Sequence, residues 1–358
     1  MVLFRNAYAR IIKYNKHNKY NIFFSKFSTI NIMIRQSLNR FLLIMTIFLS
    51  LCLWGCGKNS IAPAVEQGNG VAYTAVDDAG RKLSFQRKPE RIVSLTYGTD
   101  EILVGLVDLN RIRALSRWAG DQEISFITKE QLITVGYKVN DNLEAILKLE
   151  PDLVVASAAT SSDVVQSLEN IGIKVYVASS PRSYQGMQEK ILHLAQAVGE
   201  ESKGRELLRR MDERMGKLEI RLSQLPDDKR KVAVAFNFTS AMGRRGDLLD
   251  NMLTKAHVIN GAAAVTPPVS EHGSVVISKE MVVGINPDVF LLPTWNYNNK
   301  QDVRGYARAV KNDPAYRNVK AVKNNQIKFV SDKYRYVASQ HIVEAVEAIA
   351  RTIYPELF

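Results

Sequence analysis

The sequence predicts an α/β protein of two lobes, each a mainly parallel sheet flanked by helices, joined by one long bridging helix. Three observations carry this. Short runs of Val, Ile and Leu, such as Leu153–Ala156 and Val289–Leu292, alternate with helical patterns. Strands apolar on both faces belong to sheets covered by helices on both sides. One helical segment, Glu201–Leu225, is far longer than its neighbours, and a stretch in the first half of the chain is echoed in the second.

The 358 residues carry 48 Lys plus Arg against 36 Asp plus Glu, a formal net charge of +12. Such an excess raises nucleic acid or an anionic surface as partners. Residues 1–55, however, hold eight basic residues and no Asp or Glu. The remainder is nearly balanced, so the charge belongs to targeting and no nucleic-acid role is expected. Phe41–Trp54 is an uncharged apolar run of 14 residues preceded by Arg35 and Arg40. That is short for a membrane span, which needs about 20, and suits a signal-peptide core. Leu53-Trp54-Gly55-Cys56 closes it in the manner of a bacterial lipobox, with Cys56 as the lipidated first residue of the mature protein. An uncleaved N-terminal anchor is the alternative. Met33 is the expected true start, residues 1–55 the signal peptide, and 56–71 a polar, Gly-containing flexible tether. Cys52 and Cys56 are the only cysteines, so the body has no disulfide, thiolate metal site or Cys nucleophile.

Residues 72–199 form the expected first lobe. Strands are predicted at Arg91–Leu95, Ile112–Ser116, Leu153–Ala156 and Lys174–Ala178. Helices are predicted at Asp100–Gly105, Asn142–Leu149, Ser161–Asn170 and Tyr184–Val198. The bridging helix occupies 200–226. Its apolar residues Leu207, Leu208, Met211, Met215, Leu218, Ile220 and Leu222 are set among charges, and Leu225-Pro226-Asp227-Asp228 stops it. A helix of about 22 residues spans about 33 Å, which limits closure of the lobes to a small twist with loops doing the gating. Residues 227–358 form the second lobe. Strands are predicted at Lys231–Phe236, Val289–Leu292 and Ile327–Val330, and its closing helix, Gln340–Ile353, carries Ile342, Val346, Ile349 and Ile353 on one face.

The echo runs from Asn142 through Glu144 to Pro151-Asp152, and from Ser278 through Glu280 to Pro287-Asp288. Each copy has a capping residue, Glu two positions later, a short apolar helix, Pro-Asp and a buried strand. Local physics accounts for part of this: the cap satisfies first-turn N–H groups, Glu complements the helix dipole, and Pro ends the helix. Equivalent elements would also present one carboxylate from each lobe on the same side of the molecule. That arrangement suits docking to a two-fold symmetric basic partner.

Ligands of open α/β sheets sit outside the carboxyl ends of the strands. The residues just past each predicted strand include Tyr97, Arg117, Trp118, Ser179, Ser180, Phe238, Trp295, Tyr297, Tyr334 and Arg335, with Arg244 and Arg245 on the loop after Phe238. This describes an aromatic, arginine-rich cleft with almost no acids, fit for a bulky, flat or anionic ligand. Lobe packing remains the alternative for the two tryptophans, and a solvated turn for Arg244 and Arg245. His272 lies in a loop before Glu280, where it is solvated or ligates a haem or corrinoid metal. No set of His, Asp, Glu or Cys suits a bare metal ion, and no HExxH, P-loop or GxSxG pattern is present.

Asp77-Asp78-Ala79-Gly80-Arg81, then Lys88-Pro89-Glu90-Arg91-Ile92-Val93-Ser94-Leu95, resembles the opening of the metal-chelate substrate-binding proteins of ABC importers. Glu101-Ile102-Leu103, Val135-Gly136, Leu143-Glu144 through Pro151-Asp152-Leu153, Ile171 to Val175, and Ser339 through Pro355-Glu356-Leu357-Phe358 continue the likeness over about residues 72–358. The family includes ferric-siderophore, haem and cobalamin binders. The resemblance implies two α/β lobes with the ligand between them, and arginines of a permease dimer meeting Glu144 and Glu280. The resulting expectation is a lipid-anchored, extracytoplasmic, monomeric receptor without catalytic activity or intrinsic cofactor. It captures a metal chelate, an iron(III) siderophore foremost, and delivers it to an ABC permease and its ATPase. A cobalamin or haem receptor is the alternative within the family. An enzyme on the same scaffold is disfavoured, because no acid/base or nucleophile set converges. A tethered adhesion module would not need the aromatic-arginine cleft.

Overall fold

A computed structural model describes residues 72–268, 276–295 and 302–358. The described residues start with a β-hairpin. β1 (Tyr73–Val76) pairs antiparallel with β2 (Lys82–Phe85). The turn between them is built by the Asp77 carboxylate, which accepts Ala79 N–H at 3.0 Å and Arg81 N–H at 2.8 Å, and by Gly80 at φ +82°. The other Asp77 oxygen accepts Val177 N–H at 3.1 Å and so pins the hairpin to the first sheet. Sequence patterning missed these two strands, which are four residues each and half-exposed.

The first sheet contains β3 (Ile92–Ser94), β4 (Ile112–Ser116), β5 (Lys138–Val139), β6 (Leu153–Ser157) and β7 (Lys174–Ala178) in the order β5-β4-β3-β6-β7. Every neighbouring pair is parallel. The second sheet contains β8 (Val232–Phe236), β10 (Ile259–Asn260), β11 (Val289–Leu292) and β12 (Ile327–Phe329) in the parallel order β10-β8-β11-β12. The short β9 (Ala241–Met242) runs antiparallel against β8. β10 and the β9 return are too short to register as apolar runs. The two sheets repeat one connectivity: β3 corresponds to β8, β4 to β10, β6 to β11 and β7 to β12.

The helix Glu201–Leu222 links the sheets. Its inward row of Gly204, Leu207, Met211, Met215, Leu218 and Leu222 recurs every three or four residues. It packs on the helices Tyr97–Leu106 and Tyr184–Ala197 of the first lobe and Ile342–Ile353 of the second. Gly204 permits the close approach, because a Cβ there would lie 2.6 Å from Ala195 Cβ. Arg214 ties the same helix to Glu344 and Glu347 of the second lobe. One apolar cluster therefore runs from Ile92 and Leu103 through Met211 and Leu218 to Leu291 and Ile349. The outer faces of the two sheets have separate cores, around Val154 and Leu168 and around Phe290 and Tyr316.

The echo seen in the sequence has a structural cause. Asp152 accepts Glu90 N–H at 3.0 Å and Arg91 N–H at 2.9 Å, at the entry to β3. Asp288 accepts Val232 N–H at 2.9 Å, at the entry to β8. Each Pro-Asp thus latches the strand that follows it, β6 or β11, to the neighbouring strand, β3 or β8. The residue before each Pro, Glu150 or Asn286, takes positive φ, +47° and +49°, to turn the chain from helix to strand.

Candidate functional site

The carboxyl ends of β3, β4, β6 and β7 open onto a pocket of about 480 Å³ between the lobes. Thr96, Tyr97 and Gly98 line it beyond β3, Trp118 beyond β4, Ser157 and Ala159 at the end of β6, and Ser179, Ser180 and Pro181 beyond β7. The second lobe contributes Met242, Asp247, Leu248, Leu249 and the segment Arg335–Ala338. The position follows from the sheet: loops at the carboxyl ends diverge around a switch in strand order, which here lies between β4 and β6, on either side of β3.

Tyr336, Val337 and Ala338 line this pocket, and the segment 336–340 that contains them is stitched into the first lobe. Tyr97 Oη donates to Tyr336 O at 2.8 Å, and Lys190 Nζ to Ala338 O at 3.2 Å. Ser339 Oγ donates to a Glu101 carboxylate oxygen at 2.5 Å, and Gln340 Nε2 to Glu101 O at 2.6 Å. Gly98 faces Ala338 so closely that a Cβ would lie 2.6 Å from Ala338 Cβ and 2.7 Å from Ala338 O. Behind these bonds lie two adjacent buried acids. Burial pushes Asp100 up to about 7, against hydrogen bonds from Ser116 and Ser94 that favour its charged form. Burial also raises Glu101, which accepts Phe126 N–H at 3.0 Å. Tyr97 is pushed up to about 12 by desolvation, so its hydroxyl stays a donor.

The predicted site residues separate into four groups. Tyr97, Trp118 and Arg335 line the pocket. At its rim Trp118 meets Trp295 of the second lobe edge-on, with centroids 5.7 Å apart, and the exposed Arg117 guanidinium lies 4.4 Å above the Trp118 ring. Trp295 Nε1 donates to Asp121 at 3.2 Å, a second link across the rim. The other predicted residues are engaged elsewhere. Tyr334 packs on Phe126 at 5.4 Å and Phe238 on Tyr306 at 5.2 Å. Arg244 Nη2 donates to Pro268 O at 2.9 Å, and Arg245 Nε to Ala263 O at 3.0 Å. His272 and Tyr297 lie outside the described residues, as does Cys56.

Arg335 is 3 % exposed, and most of its guanidinium serves the second lobe. Nη2 donates to Phe236 O. Nη1 lies 3.0 Å from Asp332 Oδ1, out of line for a hydrogen bond. Desolvation lowers its pKa. The reading of an almost acid-free cleft needs amendment, because Asp247 faces the pocket while capping the helix Leu248–Lys255 through Asp250 N–H at 2.8 Å. Its pKa is raised, chiefly by desolvation. The sequence reading also missed Lys190, a pocket residue carried on a helix rather than on a post-strand loop.

The family model for periplasmic binding proteins matches residues 92–334, more than half of the chain. This chain belongs to the periplasmic binding protein family. Among relatives of this periplasmic binding protein, the uncharacterised ABC transporter substrate-binding lipoprotein YvrC of Bacillus subtilis is 25% identical over 327 residues, covering 86% of this chain and 95% of the relative. The Fe(3+)-citrate-binding protein YfmC of the same organism is 21% identical over 304 residues, covering 81% and 89%. Among solved structures, a possible iron-binding, periplasmic solute-binding protein of Staphylococcus epidermidis superposes with a TM-score of 0.63 at 20% identity, over 75% of this chain and 100% of the other. The haem-binding protein RhuT of Roseiflexus superposes with a TM-score of 0.61 at 19% identity, over 75% and 99%.

In this periplasmic binding protein the paired glutamates occupy equivalent places. Glu144 is the second residue of the helix Leu143–Leu147, capped by Asn142 through Ala145 N–H at 2.9 Å. Glu280 is the second residue of the helix Lys279–Ile285, capped by Ser278 through Met281 N–H at 3.3 Å. Both are exposed, and a hydrogen bond with Ser278 holds Glu280 below the usual carboxylate range. Each precedes a corresponding strand, β6 or β11. Among the described residues no group of three or more His, Cys, Asp or Glu is placed to hold a metal ion. No described helix is long and apolar enough to cross a membrane.

Proposed function

We propose that this protein is a lipid-anchored, extracytoplasmic receptor that captures a ferric siderophore between its lobes and delivers it to an ABC permease. The observation that carries this reading is the pocket at the strand ends, walled by Tyr97 and Trp118 and rimmed by the Trp118–Trp295 pair. Aromatic faces and hydroxyls of Thr96, Ser179 and Ser180 suit a large complex whose metal is already wrapped in oxygen ligands. A whole chelate needs no protein-supplied coordination shell, in keeping with the pocket's lining. Names of relatives support the class: YfmC binds Fe(3+)-citrate, and YfiY of Bacillus subtilis is a probable siderophore-binding lipoprotein. Glu144 and Glu280 dock on arginines of the two permease subunits, Cys56 carries the lipid, and the protein acts as a monomer without catalysing a reaction.

Ligand titration tests this directly. The chain from Cys56 onward contains only Trp118 and Trp295 as tryptophans, so its intrinsic fluorescence reports on the pocket rim. Saturable quenching by ferric siderophores is expected. A response to haem or cobalamin alone would reassign the ligand, and conversion of the ligand on incubation would favour an enzyme. Replacing Glu144 and Glu280 together by Ala should abolish uptake while leaving this quenching unchanged; intact uptake by the folded double variant would remove the docking assignment.

A further inference from the structure

The strongest unexplained group near the pocket is the ammonium of Lys190. It projects from the helix Tyr184–Ala197 into the pocket wall and is only 4 % exposed. Buried lysines are ordinarily paired with a carboxylate. Here Nζ donates to one neutral acceptor, Ala338 O, and no carboxylate of the described residues pairs with it. The acids that influence it are committed elsewhere. Asp78 is held by His193 Nδ1 and Ser179 N–H, both at 2.7 Å, and Glu101 by Ser339 and Phe126. Asp247 caps its own helix, and Asp332 pairs with Arg335. An ammonium has three N–H donors, so Lys190 retains hydrogen-bonding capacity beyond its bond to Ala338. Burial lowers its pKa to about 8, which leaves it mostly charged at neutral pH.

We infer that Lys190 is a specificity-determining ligand contact whose ammonium takes a negatively charged oxygen at the periphery of the chelate. It thereby selects acidic, carboxylate-bearing chelates over neutral ones. Ala338 O positions the ammonium, and the hydroxyls of Thr96, Ser179 and Ser180 offer further donors to the same oxygen-rich surface. Met242, Leu248 and Leu249 form an apolar part of the wall, beside Asp247 and Arg335, and strengthen the charged contact by excluding water. This rests on the receptor reading above and narrows its ligand class.

The test is equilibrium dialysis of the full chain in detergent with radiolabelled iron, presented as ferric citrate or as a neutral ferric trihydroxamate. Lys190→Met keeps the side-chain volume and removes the charge, and Lys190→Arg keeps the charge. Lys190→Met is expected to weaken ferric citrate at least about tenfold and the trihydroxamate by less than about twofold, with Lys190→Arg retaining most citrate binding. Unchanged citrate binding in Lys190→Met, or equal losses for both chelates at an unchanged melting temperature, would overturn the inference while leaving the receptor reading standing. Failure of the unsubstituted protein to bind either chelate would overturn both. If Lys190→Met fails to fold, the ratio of the two affinities in Lys190→Arg and in Lys190→Gln decides in its place.

Discussion

Asp100 shows how one buried carboxyl in the pocket's foundation ties stability to pH. Its side chain accepts Ser116 N–H at 3.0 Å and Ser116 Oγ–H at 2.6 Å, yet burial outweighs these bonds and raises its pKa from 3.8 to about 7. The folded protein therefore holds this proton more tightly than the unfolded chain. The group's stabilising contribution is complete below about pH 4 and is lost as pH rises towards 7, an effect of roughly a few kcal/mol at most. Asp100→Asn should flatten the decline of melting temperature between pH 4 and 7, read by circular dichroism; a profile unchanged in slope would mean that Asp100 titrates normally. At this scale the sequence is only partly legible. Tyr97 and Trp118 follow from the strand-end rule because side chains just past a parallel strand face the cleft. Lys190 does not, because its place is set by how a helix packs on a distant segment, Ala338. Arg335 looks like a ligand contact by position, and only the fold reveals its bond to Phe236 O.

Glycines separate packing from propensity in the bridging helix. A Cβ at Gly204 would strike Ala195, whereas one at Gly216 meets no atom within 4 Å. Gly216→Ala should stabilise the protein by about 0.5–1 kcal/mol, because Gly in a helix interior costs backbone entropy. Gly204→Leu should destabilise by about 1–3 kcal/mol through overpacking. Urea denaturation distinguishes them, and equal effects would deny that the helix is pressed against Tyr184–Ala197 along this edge. The helix itself was readable as an uninterrupted amphipathic run. So were the long central strands, whose apolar runs stand out. The hairpin β1–β2 was not, since strands of four half-exposed residues leave no period to detect. β5, β9 and β10, at two residues each, are defined by their partners rather than by their own composition.

At the scale of the molecule, the two halves repeat one wiring, and the Pro-Asp latches explain why the repeat survives in the sequence. Asp152 and Asp288 satisfy backbone donors at matching strand entries, so the echo records a structural need as well as the placing of Glu144 and Glu280. The wider cleft was legible as a location but not as a list, because Phe238, Tyr334 and Arg245 lie near strand ends while packing on neighbours. The bridging helix also has a mechanical consequence. It acts as a beam held near its start by Gly204 against Ala195 and past its middle by Arg214 to Glu344 and Glu347, while the stitched segment 336–340 forms a second tie. Little of the binding free energy should then be diverted into moving the halves, and the loaded and unloaded particles should keep nearly the same outline. The radius of gyration from small-angle scattering should change by less than about 1 Å from its value of roughly 20 Å on saturation with ligand. A permease reading such a particle must sense the cargo itself, or the few rim side chains around it, rather than the silhouette of its carrier.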